Sequence, residues 1–147
     1  MALTLGRSIA RWRWEVEEGI PAEIRRGRLL LSERPVWSDY PIPLYGIPDQ
    51  VYEVAGSSLL VVDTKVRPRP AVSIRDAVQL SVYRAILTYT RHPLFKGRTT
   101  QPYGYLRFSW DGCVRYMRLQ LYSVDAVMRL ALAYLRAEQS VGRHRIT

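Results

Sequence analysis

The sequence predicts an α/β protein built on a mixed β-sheet, with helices on both faces of the sheet. Three observations lead to this fold class. Two apolar runs flank a glycine-serine turn at 55–58, a long helical segment follows them, and Asp111-Gly112 joins two further apolar runs. Glycine-serine clusters and Asp-Gly pairs between apolar runs are hairpin signals. Hairpins that alternate with helical segments indicate one sheet covered by helices.

The N-terminal third is predicted to contain a helix, a strand and a loop. Apolar residues recur at helical spacing within 3–26, so this segment is predicted to be mostly helical, with a break or restart at Pro21. A strand is predicted over 29–36. The segment 37–48 contains several prolines and is predicted to be a loop.

The central part is predicted to form a hairpin followed by a helix. Its strands are 49–54 and 59–66, and the second strand starts with residues that are apolar on both faces, as expected for a strand covered on both sides. The helix is predicted over 73–90, because Ser73 and Asp76 have the spacing of a capping box.

The C-terminal part is predicted to form a second hairpin and a last helix. The strands 103–110 and 113–121 flank the Asp-Gly turn. Ser123 is a predicted helix cap, since apolar residues at helical spacing follow it. The tail from Gln139 onward is predicted to fray.

Two acids and a lysine are predicted to meet on the central hairpin. Asp63 and Lys65 are two residues apart on one strand, so their side chains project from the same face, and antiparallel pairing would bring Asp49 to them. Oxygen ligands of this kind hold Mg²⁺, and a neighbouring cation can orient an attacking water. Lys65 is one of two lysines among 22 basic residues, the other being Lys96. A compact ammonium suits a hydrolytic site better than a planar guanidinium.

The same residues resemble a known enzyme family. Pro48-Asp49, followed by Asp63-Thr64-Lys65 and by Gln79 and Tyr83 four residues apart, is similar to the PD-(D/E)xK nuclease superfamily. The Gln-x-x-x-Tyr element resembles the RecB-like branch, which includes the exonucleases of CRISPR adaptation. The resemblance implies a restriction-endonuclease-like core and hydrolysis of DNA phosphodiester bonds with Mg²⁺ or Mn²⁺. One departure is that Cys113 stands alone, which excludes the four-cysteine iron–sulfur site that some of these nucleases carry.

The resemblance also implies roles for individual residues. Asp49, Asp63 and the backbone carbonyl of Thr64 would bind one or two metal ions. Lys65 would orient the attacking water. The pair Gln79 and Tyr83 would support catalysis, the glutamine near the lysine or the substrate and the tyrosine on the substrate phosphate.

A further metal ligand is expected from the predicted N-terminal helix, where the family often has a histidine or a glutamate. No histidine precedes Asp49. Glu17 is the preferred candidate, because helical spacing places it on the apolar stripe of that helix. The alternatives are Glu15, Glu18 and Glu23.

The charge of the chain indicates a polyanionic partner. The formal net charge is +9, and between Lys65 and Arg98 the only acid is Asp76. This basic run begins at the predicted site, so it is expected to track DNA, single- or double-stranded, along its phosphates. The expected nucleic-acid-binding residues are Arg67, Arg69, Arg75 and Tyr83. A second copy of the chain and other DNA-processing proteins are further expected partners.

The length and composition set outer limits. At 147 residues the chain is predicted to be one domain, 1–147. No run approaches the ~20 apolar residues of a membrane span, and the N-terminus lacks a signal-peptide stretch. The single cysteine points to a reducing, cytoplasmic compartment.

Two other functions fit the same residues. The chain could be a non-catalytic nucleic-acid-binding module on a degenerate nuclease fold, although such a module need not keep Asp49, Asp63 and Lys65. It could also be a Holliday-junction resolvase, which would require a dimer, whereas the Gln-x-x-x-Tyr element favours a RecB-like exonuclease or DNA-processing nuclease.

Overall fold

A mixed six-stranded sheet organises the structure. The computed structural model describes residues 14–144. Its elements, in chain order, are β1 (Trp14–Glu18), α1 (Ala22–Arg26), β2 (Arg28–Ser32), β3 (Val36–Ser38), β4 (Leu44–Gly46), β5 (Gln50–Val54), β6 (Ser58–Val66), α2 (Ile74–Tyr89), β7 (Tyr103–Trp110), β8 (Cys113–Gln120) and α3 (Val124–His144). The strand order is β1-β8-β7-β6-β5-β2, and β3 pairs with β4 in a separate two-stranded sheet. Among the strands that the structure describes, only β6 and β7 are parallel neighbours, and the crossover between them contains α2.

The central strand β6 has a buried residue on each of its faces, as its unbroken apolar run predicts. Leu59 and Val61 pack into the cluster that contains apolar residues of α2. Leu60 and Val62 point to the opposite face, where Ile24 of α1 packs with them. The mixed sheet with helices on both faces is therefore confirmed. The last helix, α3, lies behind α2 and contributes Val127 and Met128 to a third cluster.

The local signals for turns and caps are confirmed. A 3₁₀ turn at Ala55–Ser57 joins β5 to β6, and Gly56 there has φ +76°. Gly112, in the turn between β7 and β8, has φ +74°. Both angles are open to glycine at little cost. Ser73 and Asp76 form the predicted capping box of α2.

The N-terminal third differs from the prediction. Residues 14–18 of the predicted helix form β1, an edge strand paired with β8, while 22–26 form the short helix α1. Residues 3–13 of the predicted helix lie outside the described residues. Pairing with β8 is a long-range contact that outweighs local helical spacing.

Three further predictions also differ from the structure. The single strand predicted over 29–36 is divided into β2 and β3 at a turn in which Glu33 has φ +51°. The predicted loop over 37–48 contains β4. The last helix continues to His144, beyond the predicted start of the frayed tail. Within residues 14–144, no helix combines the length and the apolar character needed to cross a membrane.

Candidate catalytic site

Asp49 meets Thr64 where β6 extends past β5. The ladder between these strands begins with Gln50 opposite Val62, so the end of β6 has no partner residue on β5. The carboxylate of Asp49 takes that place, because Thr64 N–H donates to Asp49 Oδ2 at 2.6 Å. The N–H and C=O of one residue in an extended strand point to the same side. We therefore expect the carbonyl of Thr64 on the side of Asp49, as the metal-ligand prediction requires.

Lys65 connects the two strands to helix α2. Its Nζ lies 2.8 Å from Asp63 Oδ2 and donates a hydrogen bond to Gln79 Oε1 at 2.9 Å. These contacts confirm that Asp63 and Lys65 share a face and that Gln79 of α2 reaches the lysine. The ammonium is thus fixed between Asp63 on β6 and Gln79 on α2.

Tyr83 extends this connection to the segment before Asp49. Gln79 Nε2 donates to Tyr83 Oη at 3.0 Å, and Tyr83 Oη donates to the carbonyl of Ile47 at 3.1 Å. Gly46 allows the close approach, because a Cβ on it would lie 2.6 Å from the Tyr83 ring. Tyr83 is buried, with its hydroxyl already engaged. This arrangement favours a supporting role for Tyr83 over the predicted contact with a substrate phosphate.

Asp76 is a site residue that the sequence argument missed. Arg67 donates two hydrogen bonds to its carboxylate, from Nη1 to Oδ2 at 2.7 Å and from Nη2 to Oδ1 at 3.0 Å. The backbone N–H of Ser73 adds a third at 3.0 Å. Asp76 Oδ1 also lies 3.7 Å from Lys65 Nζ. The capping-box spacing revealed the bond to Ser73 but carried no signal for the pairing with Arg67.

The prediction for the arginines changes accordingly. Arg67 was expected to bind nucleic acid, but its guanidinium holds Asp76 and also donates to the carbonyl of Ala71 at 2.9 Å. Its position therefore favours bracing the loop between β6 and α2. Arg69 and Arg75 are exposed, on that loop and in the first turn of α2. Their predicted contact with nucleic acid stays a prediction.

The predicted position of Glu17 is wrong. It lies on β1 rather than on a helix, opposite Tyr116, and β8 and β7 separate its strand from β6. The backbone does not bring it to Asp49 and Asp63. The alternative Glu23 lies on the other face of the sheet, where its carboxylate accepts hydrogen bonds from Tyr103 at 2.6 Å and from a second tyrosine at 2.5 Å.

Burial and charge determine the protonation of the site. Asp63 is 3% exposed, and this burial raises the pKa of its carboxyl. The hydrogen bond with Lys65 opposes that rise, while the negative charge of Asp49 adds to it. Burial by itself would lower the pKa of Lys65, but its contacts with Asp63 and the charge of Asp76 raise it above its usual value. Lys65 is therefore an ammonium at neutral pH.

The donor set fits a hard divalent cation. Asp63 Oδ2 is buried beside Lys65 without a well-directed hydrogen bond, and the nearby Asp49 carboxylate raises the local negative charge. Two carboxylates and a backbone carbonyl are oxygen ligands of the type that Mg²⁺ takes. Among the residues that the structure describes, no group of three or more His, Cys, Asp or Glu side chains is arranged to hold a metal ion. One or two carboxylates with several waters is the usual arrangement for Mg²⁺.

Replacing Asp76 by asparagine should reduce stability in a pH-dependent way. Burial opposes ionisation of Asp76, but the hydrogen bonds from Arg67 and Ser73 outweigh it and lower the pKa from 3.8 to about 2. A lowered pKa contributes stability above about pH 4 that is lost as the pH falls toward 2. Asp76→Asn should therefore lower the free energy of unfolding at pH 7 by on the order of 2 kcal/mol.

Urea denaturation of wild type and Asp76→Asn at pH 7 and at pH 3 measures this effect. The difference between the two proteins should shrink at the lower pH. The exposed Asp39 provides the matched control, since Asp39→Asn should change stability little at either pH. A loss of the same size at both pH values would show that the Asp76 carboxylate charge does not stabilise the fold.

No protein-family model and no curated protein matches this chain. Among solved structures it is similar to SSO0001, whose crystal structure aligns with a TM-score of 0.44 and 16% sequence identity. The alignment covers 92% of this chain, which spans 58% of the length of that one.

Proposed function

We propose that this protein is a metal-dependent nuclease that hydrolyses DNA phosphodiester bonds, an exonuclease or DNA-processing nuclease of the RecB-like PD-(D/E)xK class. One observation carries the proposal. The buried Asp63 and the ammonium of Lys65 lie 2.8 Å apart, on the same strand end whose Thr64 amide binds the second acid, Asp49. The mixed sheet with α2 across this strand end is consistent with a restriction-endonuclease-like core.

The oxygen donors of the site would hold Mg²⁺ or Mn²⁺. Asp49, Asp63 and the carbonyl of Thr64 are the residues that would bind it. A divalent ion held there would lower the pKa of a bound water and offset negative charge on the phosphate. We do not propose Glu17 as a further metal ligand, because it lies on the distant strand β1.

Lys65 supplies positive charge at the reacting phosphate. Its ammonium has three donors; one hydrogen-bonds Gln79, and the ammonium also forms an ion pair with Asp63 at 2.8 Å. A donor not directed at these partners can orient the attacking water or hydrogen-bond a phosphate oxygen. As water adds to phosphorus and a P–O ester bond breaks, the fixed ammonium offsets the charge of the transition state without having to reorganise. Gln79 holds the ammonium in this position by a hydrogen bond, and Tyr83 in turn holds the Gln79 side chain through its hydroxyl.

The high positive charge supports nucleic acid as the substrate class. A net charge of +9 attracts polyanions through release of counterions from the phosphates. The exposed Arg69 and Arg75 are the proposed phosphate contacts beside the site. Assembly as a homodimer or with other DNA-processing proteins is compatible with this activity. We place the activity in the cytoplasm, because the exposed Cys113 is a free thiol of the kind that a reducing compartment preserves.

Incubation with end-labelled DNA tests the proposal. Single strands, duplexes and four-way junctions are offered with Mn²⁺, Mg²⁺ or EDTA, and products are resolved on denaturing gels. We expect cleavage with a metal ion and none with EDTA. Binding of DNA without any cleavage would support the non-catalytic module. Symmetric cleavage of the junction alone, with linear DNA spared, would support a Holliday-junction resolvase.

A further inference from the structure

A small pocket lies on the same face of the sheet as the candidate catalytic site. Its volume is about 220 Å³, and it lies between the tip of the β7–β8 hairpin and the proline-containing loop after β6. Trp110 and Arg115 line the hairpin side, and Arg67, Pro68 and Pro70 line the loop side. Drug-sized ligands occupy pockets of roughly 300–1,000 Å³, so this pocket suits a single planar ring system.

Strand register determines how far the pocket is from Lys65. On the parallel pair β6 and β7, Lys65 lies opposite Phe108, and Phe108 lies opposite Arg115 on β8. Residues opposite each other share a face, as do residues two apart on one strand, so Trp110 and Arg115 project to the same side as Lys65. Two residues along and one strand across place the Cα atoms of Lys65 and Trp110 about 8 Å apart.

The side chains that line the pocket suit a nucleotide better than an apolar peptide. Trp110 is 49% exposed although it is one of the largest apolar side chains, so its ring is available for stacking. Arg115 is exposed beside it, and the guanidinium of Arg67 forms the far wall, paired there with Asp76. Asp111 is the acid in the lining. A flat aromatic surface next to guanidinium groups binds a base through its π-face and the adjoining phosphate through charge.

We infer that this pocket binds one unpaired base of the DNA strand beside the phosphate that is cut. The base stacks on Trp110, and Arg115 contacts the phosphate of that nucleotide. A base within a duplex has both faces covered by its neighbours, so the pocket selects single-stranded or frayed DNA. This inference names the substrate form for the proposed nuclease and rests on that proposal for the position of the cut.

Equilibrium binding in EDTA tests the pocket without cleavage. Fluorescence anisotropy measures the Kd of a labelled single-stranded oligonucleotide and of a blunt duplex. Trp110→Ala should weaken binding of the single strand by roughly 5- to 100-fold, the range expected for loss of one base–aromatic stack. Trp110→Phe should stay within about threefold of wild type, because it keeps a ring.

Trp37 provides a control that matches Trp110 in residue type and exposure. It is 48% exposed and packs edge-to-face on His92, in the separate β3–β4 sheet. Trp37→Ala should leave both Kd values unchanged. Circular dichroism of each variant checks that the sheet is intact.

The possible results distinguish failure of the inference about the pocket from failure of the proposed nuclease activity. Three results would each overturn the inference about the pocket. The wild type could fail to bind single strands, Trp110→Ala could leave the Kd unchanged, or Trp110→Ala could weaken binding of the blunt duplex equally. If Trp110→Ala weakens single-strand binding while the wild type cleaves no DNA with Mn²⁺, the pocket is upheld and the nuclease is refuted. If the wild type cleaves and Trp110→Ala binds and cleaves normally, the nuclease is upheld and the pocket is refuted.

Discussion

Asp63→Asn should abolish DNA cleavage and weaken Mn²⁺ binding together. The substitution removes one negative charge from the buried Asp63 beside the half-buried Asp49 but keeps the size of the side chain. Loss of an outer-shell partner of a metal costs roughly 10- to 100-fold in affinity, and loss of a direct ligand should exceed that. Calorimetric titration with Mn²⁺ measures the affinity, and the rise of Tm with Mn²⁺ gives an independent readout through linkage.

The exposed Asp39 is again the matched control for this experiment. Asp39→Asn removes the same charge from a surface position and should leave Mn²⁺ binding and cleavage at wild-type levels. Unchanged Mn²⁺ affinity in Asp63→Asn would mean that the metal, if one binds, is held elsewhere. The assignment of Asp49 and Asp63 as ligands would then be wrong.

Lys65→Ala should separate metal binding from chemistry. The variant keeps Asp49, Asp63 and the Thr64 carbonyl, so we expect Mn²⁺ to bind. Turnover should fall by roughly 100- to 1,000-fold, the size of effect seen when a fixed donor to a developing charge is removed. Single-turnover kinetics with saturating enzyme measure the chemical step without contributions from product release.

The chain offers a close control for this substitution, because its only other lysine is Lys96. Lys96 is exposed, and Lys96→Ala should cleave at the wild-type rate. Lys65→Arg should rescue poorly, since a planar guanidinium cannot reproduce the contacts of the ammonium with both Asp63 and Gln79. Wild-type turnover in Lys65→Ala would remove the lysine from the catalytic centre.

Much of the fold and part of the site follow from local patterns in the sequence. Gly56 and the Asp-Gly pair mark turns because few other residues adopt positive φ easily, and the structure has turns at both places. Residues two apart on a strand must share a face, which placed Asp63 and Lys65 together. Residues four apart on a helix must also share a face, which placed Gln79 beside Tyr83.

The remaining features depend on contacts that no local pattern encodes. β1 is a strand because β8, a hundred residues away in the chain, pairs with it. Tyr83 is buried because Gly46 and the carbonyl of Ile47 approach it from a different element. Arg67 hydrogen-bonds Asp76 because the loop between them brings the two side chains together. A run of basic residues in a sequence does not indicate which of them pair with acids in the fold.

The most direct test of the central claim is cleavage of one end-labelled single strand by wild type and Asp63→Asn, purified identically, with Mn²⁺ and with EDTA. The account predicts cleavage by the wild type with Mn²⁺, none with EDTA, and none by Asp63→Asn under either condition. Equal cleavage by both proteins would assign the activity to a contaminant or to another site. No cleavage by a wild type that binds both Mn²⁺ and DNA would contradict the proposal that Asp49, Asp63 and Lys65 form a nuclease centre.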